Sequence, residues 1–171
     1  MDEVGNEHQI LSWTSHGAQG YSDPKEAEAI ARRANDYMSE QCKKNPKRFS
    51  GFASLSMHDP KQAAQELERA IKELGLVGVI LNDFQEANNG TKMLFYDQPE
   101  YDPFWAKLQE LDVPLYIHPR GPIKEIFDHM WKDRQSLLSA YVPVQCLPLI
   151  SRPFQFATGV ATHVLVPLVF R

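Results

Sequence analysis

The sequence predicts an α/β protein built on a parallel sheet, and three observations predict it. Short apolar runs recur four times, separated by longer amphipathic stretches. The amphipathic stretches open on a repeated Asp-Pro pair, at 23–24, 59–60 and 102–103. The run "LVGVILND" (76–83) is rich in aliphatic residues and does not alternate, which suits a strand covered on both faces.

The first strand is expected within "HQILSW" (8–13), followed by a polar, glycine-containing loop. In "DPKEAEAIARRANDYMSEQCKKNP", Asp23 can cap a helix, Pro24 suits its first position, and Glu26 stands three residues after the cap. Ala27, Ile30, Ala31, Ala34, Tyr37, Met38 and Cys42 recur at helical steps and are expected to form its buried stripe. "RFSGFASLSM" (48–57) is the second strand. The second helix repeats the opening with Asp59, Pro60 and Gln62, puts Ala63, Leu67, Ala70, Ile71 and Leu74 on one face, and ends at Gly75. After the third strand, 76–83, residues 84–101 read as a loop longer than packing needs, and long loops after strands are often functional. Asp102-Pro103 opens a third helix with Phe104, Leu108 and Leu111 as its stripe, and "VPLYIH" (113–118) is the fourth strand. Residues 122–140 read as one or two helical pieces. The segment 141–153 has three prolines in thirteen residues and reads as an atypical insertion without regular structure. Helical character returns after it, and 1–171 is expected to form one domain.

A net charge of −4 argues against a nucleic-acid partner or a pull toward anionic membrane. The one basic cluster, Lys43, Lys44, Lys47 and Arg48, falls at an expected helix end, where cations complement the dipole. Cys42 and Cys146 are too few and too far apart for a disulfide framework or a zinc knuckle. The apolar stretch 154–170 is shorter than the roughly 20 residues that span a bilayer. No signal peptide is legible at the start, so the expected compartment is cytoplasmic and reducing.

Parallel α/β sheets present their chemistry at the C-terminal strand ends and the loops that follow. Trp13 and Thr14, Met57 and His58, Asn82 and Asp83, and His118 with Arg120 stand there. In "LYIHPRGP" (115–122) an apolar run delivers an imidazole at its tip, which suits a ligand for a divalent ion. A core histidine satisfied by a backbone carbonyl is the competing reading. Arg120 could hold a substrate carboxylate bidentately or be an ordinary surface guanidinium. Asp83 could be a ligand or a base, though Asn-Asp before a loop is more often turn chemistry, and His58 reads as local structure beside a helix cap.

Three stretches together, "FSGFASLSMHDPKQAAQELERAIKELGLVGVILND", "FYDQPEYDPFWAKLQELDVPLYIHPR" and "ATGVATHVL", resemble the amidohydrolase-related decarboxylases, the branch holding 2,3-dihydroxybenzoate and γ-resorcylate decarboxylases. The resemblance implies part of a metal-dependent hydrolase-type (β/α)8 TIM barrel, about four βα units plus C-terminal helices. It implies His118 as a metal ligand, one divalent cation (Zn, Mn or Mg), and a small hydroxylated aromatic carboxylic acid losing CO2 without oxidation; among the strand-end candidates, Arg120 and Asp83 are the residues expected to bind that substrate. A full barrel takes about 250 residues, and the family's other ligands and its proton-handling groups lie in strands this chain lacks. The chain is therefore expected to be inactive alone and to retain metal poorly, with no catalytic residue of its own. Three readings follow: a piece of a decarboxylase in which 141–153 is an inserted segment; a noncatalytic partner of a full-length homologue, or a homo-oligomer; and a metal-dependent hydrolase of the same superfamily.

Overall fold

The computed structural model describes residues 1–13 and 16–131. The expectations for Thr14, for 132–140, for the proline-rich segment 141–153 and for everything after it lie outside the described residues.

Each Asp-Pro signal starts a helix, though not in one way. Helix α1 (Pro24–Lys44) is capped by Asp23, whose carboxylate accepts from the Glu26 backbone N–H at 2.8 Å. Helix α2 (Pro60–Lys72) is capped by Asp59, which accepts from Lys61 and Gln62. Helix α3 (Asp102–Leu111) departs from the expectation. Asp102 is its first residue and Tyr101 holds the cap position, because a short 3-10 turn, Pro99–Tyr101, runs straight into it. Gly75 ends α2 as expected: it takes φ 76°, and the Leu76 N–H returns to the Ala70 carbonyl at 3.0 Å.

Strands β1 (Gln9–Leu11), β2 (Phe49–Ser54), β3 (Gly78–Asn82) and β6 (Leu115–His118) form one parallel sheet in the order β1-β2-β3-β6. The helices between them supply the crossovers that parallel pairing requires. Gly78 is needed where β3 meets the chain entering β6, since a Cβ there would stand 2.6 Å from the Pro114 carbonyl oxygen.

The segment after β3 is more ordered than a loop. Strands β4 (Gln85–Ala87) and β5 (Lys92–Leu94) pair antiparallel, joined by a turn in which Asn88, Asn89 and Gly90 all have positive φ. Asn-Asn-Gly between two short runs is a hairpin signal, because these residues tolerate the left-handed region. Helix α4 (Lys124–Trp131) follows β6.

The core lies between the sheet and α2 and α3. Ala53, Leu55, Val79 and Leu81 meet Ala63, Leu67, Ala70 and Phe104 there, with Leu115 and Ile117 against them. The α1 stripe is corrected. Asn35 and Ser39 are buried with Ala27, Ala31 and Cys42, while Tyr37 is 63% exposed. The reason is chemical: the Asn35 amide donates to the Ser54 carbonyl at 2.9 Å and accepts from its N–H at 2.8 Å, so it docks α1 on β2 better than an apolar side chain could. Asn35 also donates to buried Glu66 at 2.9 Å. Arg32 and Arg69 complete the Glu66 site with contacts of 2.8 Å, and Arg69 reaches Asp36 as well. A carboxylate this enclosed needs all of these partners.

Candidate functional site

Alternation decides which face carries His118. Val79 and Leu81 of β3, and their register partners Leu115 and Ile117 of β6, belong to the helix-side core. Successive strand residues face opposite ways, so Ile80, Asn82, Tyr116 and His118 share the other face, the inner wall of a barrel. Tyr116 is 46% exposed there, and its ring lies edge-on to His118 at 5.7 Å between centroids. His118 Nδ1 lies 2.7 Å from the Pro119 carbonyl oxygen. A carbonyl at that distance favours the proton on Nδ1 and leaves the Nε2 lone pair for another partner. The two sequence readings of this histidine, ligand or carbonyl-satisfied, are thus compatible on one ring.

Asn82, the register partner of His118, is buried. Its Nδ2 donates to Gln19 Oε1 and to the His16 carbonyl, both at 2.9 Å, and its Oδ1 has no hydrogen bond. Asp83 beside it is 1% exposed, and neither carboxylate oxygen makes a well-formed hydrogen bond. Burial pushes its pKa up to about 7, against the pull of the Arg120 backbone N–H and guanidinium.

Arg120 is 4% exposed. Its Nη1 donates to the Gln19 carbonyl at 2.9 Å, its Nη2 to Glu86 Oε2 at 2.8 Å, and its guanidinium stands 4.5 Å from the Phe84 ring centroid. Only Nε lacks a partner. Glu86 Oε1 in turn accepts from Ser22 at 3.1 Å. Gln85 sends its amide nitrogen to the Gln19 and Tyr21 carbonyls and accepts the Met57 N–H at 3.0 Å.

The strand-end candidates therefore separate. Asn82, Asp83, His118 and Arg120 cluster at the tips of β3 and β6. Met57 is in the helix-side core. His58 Nε2 meets the Tyr21 carbonyl at 3.0 Å, a tie to the β1–α1 loop instead of the role beside its own helix cap expected from the sequence. Trp13 lines a groove with Ile30, Ala34 and Tyr37 on the β1 side of α1. The sequence reading missed Gln19, Gln85 and Glu86, because polar side chains that turn inward from a loop and a short hairpin strand follow no hydrophobic period.

Donor chemistry at these tips fits one corner of a metal site. His118 offers a nitrogen, yet no group of three His, Cys, Asp or Glu residues able to hold a metal ion is present among the described residues. Among those residues, no helix is long and apolar enough to cross a membrane.

Known proteins resemble this chain in sequence and in fold. The chain is 49% identical over 135 residues to the γ-resorcylate decarboxylase of Polaromonas sp., a match covering 77% of this chain and 41% of that protein. A dihydroxybenzoic acid decarboxylase from Polaromonas sp., solved with manganese and the inhibitor 2-nitroresorcinol, superposes with a TM-score of 0.76 at 42% identity, over 95% of this chain and 45% of that one. A 2,6-dihydroxybenzoate decarboxylase complexed with 2,6-dihydroxybenzoate gives a TM-score of 0.72 at 44% identity, over 75% and 41%. The chain thus spans about two fifths of the length of these relatives. The amidohydrolase profile matches residues 14–158, most of the sequence, and with a four-stranded parallel sheet that carries its imidazole on the inner wall, this chain belongs to the amidohydrolase family.

Proposed function

We propose that this chain is the part of a metal-dependent, nonoxidative decarboxylase of hydroxylated aromatic acids that contributes one metal ligand, His118. The observation that carries the reading is the His118 ring at the tip of β6, on the face opposite the helices, with Nδ1 held by a carbonyl and Nε2 uncommitted. When bound, a divalent cation supplies Lewis-acid charge stabilisation in such a site.

What the chain's own residues do follows from their surroundings. Pro119 sets the His118 tautomer. Asp83, with a pKa of about 7, carries a proton through much of the neutral range and can donate it to a substrate carboxylate as a hydrogen bond. Arg120 adds a buried positive charge to the same rim, and it acts on an anionic substrate by that charge, since both terminal nitrogens are engaged. The remaining metal ligands and the proton donor to the ring carbon belong to a longer chain, so the isolated polypeptide is expected to hold Mn(II) weakly and to show no turnover.

The test is a chimera in which residues 1–131 replace the matching segment of the Polaromonas γ-resorcylate decarboxylase. It should bind Mn(II) and release CO2 from γ-resorcylate, and His118→Ala should abolish both. Full metal occupancy in that variant would sink the assignment. A second reading, a noncatalytic partner docking on a full-length homologue, is favoured by β1, the edge strand of the sheet among the described residues, where Ile10 is 51% exposed; failure to co-purify with such a homologue counts against it.

A further inference from the structure

The β1–α1 loop is stapled to the tip of every other strand in the sheet, and one residue does most of the stapling. Gln19, 1% exposed, sends its side-chain Nε2 to the Leu55 carbonyl just past β2 and receives Asn82 Nδ2 of β3 on its Oε1 at 2.9 Å. Its backbone carbonyl takes Arg120 Nη1 from beyond β6 at 2.9 Å and Gln85 Nε2 of β4 at 3.2 Å. Arg120 locks the far side through Glu86, which also holds Ser22 of the same loop.

Loops across the mouth of a parallel sheet are usually exposed and mobile, whereas Gly17, Ala18 and Gln19 of this one are buried. Here buried amides and a buried guanidinium are spent on one seven-residue segment, 16–22. The same bonds bear on the proposed ligand from both sides: Asn82 is the register partner of His118, and Arg120 lies two residues beyond it.

We propose that Gln19 and Arg120 form a positioning clasp that fixes residues 16–22 as a rigid wall of the site and holds Asn82 and His118 in register at its mouth. Neither is a catalytic residue. The proposal rests on the functional reading only for what the wall encloses; the clasp stands or falls on local order.

The test is amide hydrogen exchange on the full 171-residue chain, together with the side-chain amide NMR signals of Asn82 and Gln85. Arg120→Met should accelerate exchange across 16–22 at least tenfold relative to Leu67 and Ala70 in α2, and should move both side-chain amide signals toward the values of free amides. Arg120→Lys should restore part of the protection, since one ammonium can reach Glu86 or the Gln19 carbonyl but cannot reproduce the planar fork. Glu86→Gln, a milder change, should give a smaller rise confined to the same segment. Unchanged exchange in 16–22 for both Arg120→Met and Glu86→Gln would overturn the clasp, and so would a rise shared equally by α2. Broadening of His118 ring signals by added Mn(II) tests the metal reading alone, so the two ideas fail separately.

Discussion

The two faces of this sheet are built to different rules. On the helix side, apolar residues close into a continuous core and the one carboxylate buried there among the described residues, Glu66, is fully partnered by Arg32, Asn35 and Arg69. On the other side and along the C-terminal tips, Ile10 and Tyr116 are exposed, and Asn82 Oδ1, both Asp83 oxygens and Arg120 Nε are buried without a well-formed hydrogen bond. Buried polar atoms left unpaired cost stability. Their concentration at the rim of a parallel sheet marks the region where the fold serves binding, while the helix side supplies the stability that makes this tolerable.

The largest effect should come from breaking the closed face. Phe104 is fully buried in the core against the sheet, so Phe104→Ala should destabilise by about 4–5 kcal/mol in chemical denaturation. A loss below about 1 kcal/mol would mean that this face is less tightly packed than its burial implies.

The rim should show itself through pH. The folded state raises the Asp83 pKa from 3.8 to about 7, so it holds the proton more tightly than the unfolded chain. The stability this confers is complete below pH 3.8 and is lost as pH rises to about 7, a decline worth about 4 kcal/mol. Asp83→Asn should remove this part of the pH dependence and leave the variant more stable than the parent at pH 8. A parent stability that is flat across this window, or rises by the same amount in both proteins, would remove Asp83 from the argument.

The smallest of the three concerns the exception on the closed face. Glu66→Gln keeps the shape and the Asn35 contact but strips the charge that Arg32 and Arg69 share. A loss of about 2–3 kcal/mol is expected, with little dependence on salt because the carboxylate is enclosed. A strong salt dependence would show that solvent already reaches it.

The fold was legible where local chemistry and period agree. Asp23 and Asp59 cap as read, Gly75 ends its helix, and the stripe of α2 faces the core. It was less legible where a polar group does the packing. Periodicity puts Tyr37 inside and says nothing of Asn35, yet Asn35 matches the backbone of Ser54 while Tyr37 faces solvent. The 85–94 hairpin carried a readable signal in Asn88, Asn89 and Gly90 that composition alone filed as a loop. At the site, His118 and Asp83 could be named because strand ends can be named. Gln19 could not, since its role exists only once four strand tips converge on it.

By itself the amino-acid order determined the alternation of strand and helix, the helix starts, the family resemblance and the residues that finish each strand, because capping, side-chain period and apolar run length are local properties. Only the tertiary structure decided which side of the sheet His118 occupies, that Arg120 is enclosed by Gln19, Phe84 and Glu86, and that Asp83 holds its proton toward neutrality. Those outcomes depend on desolvation and on partners from segments distant in the sequence, and neither exists until the chain has folded.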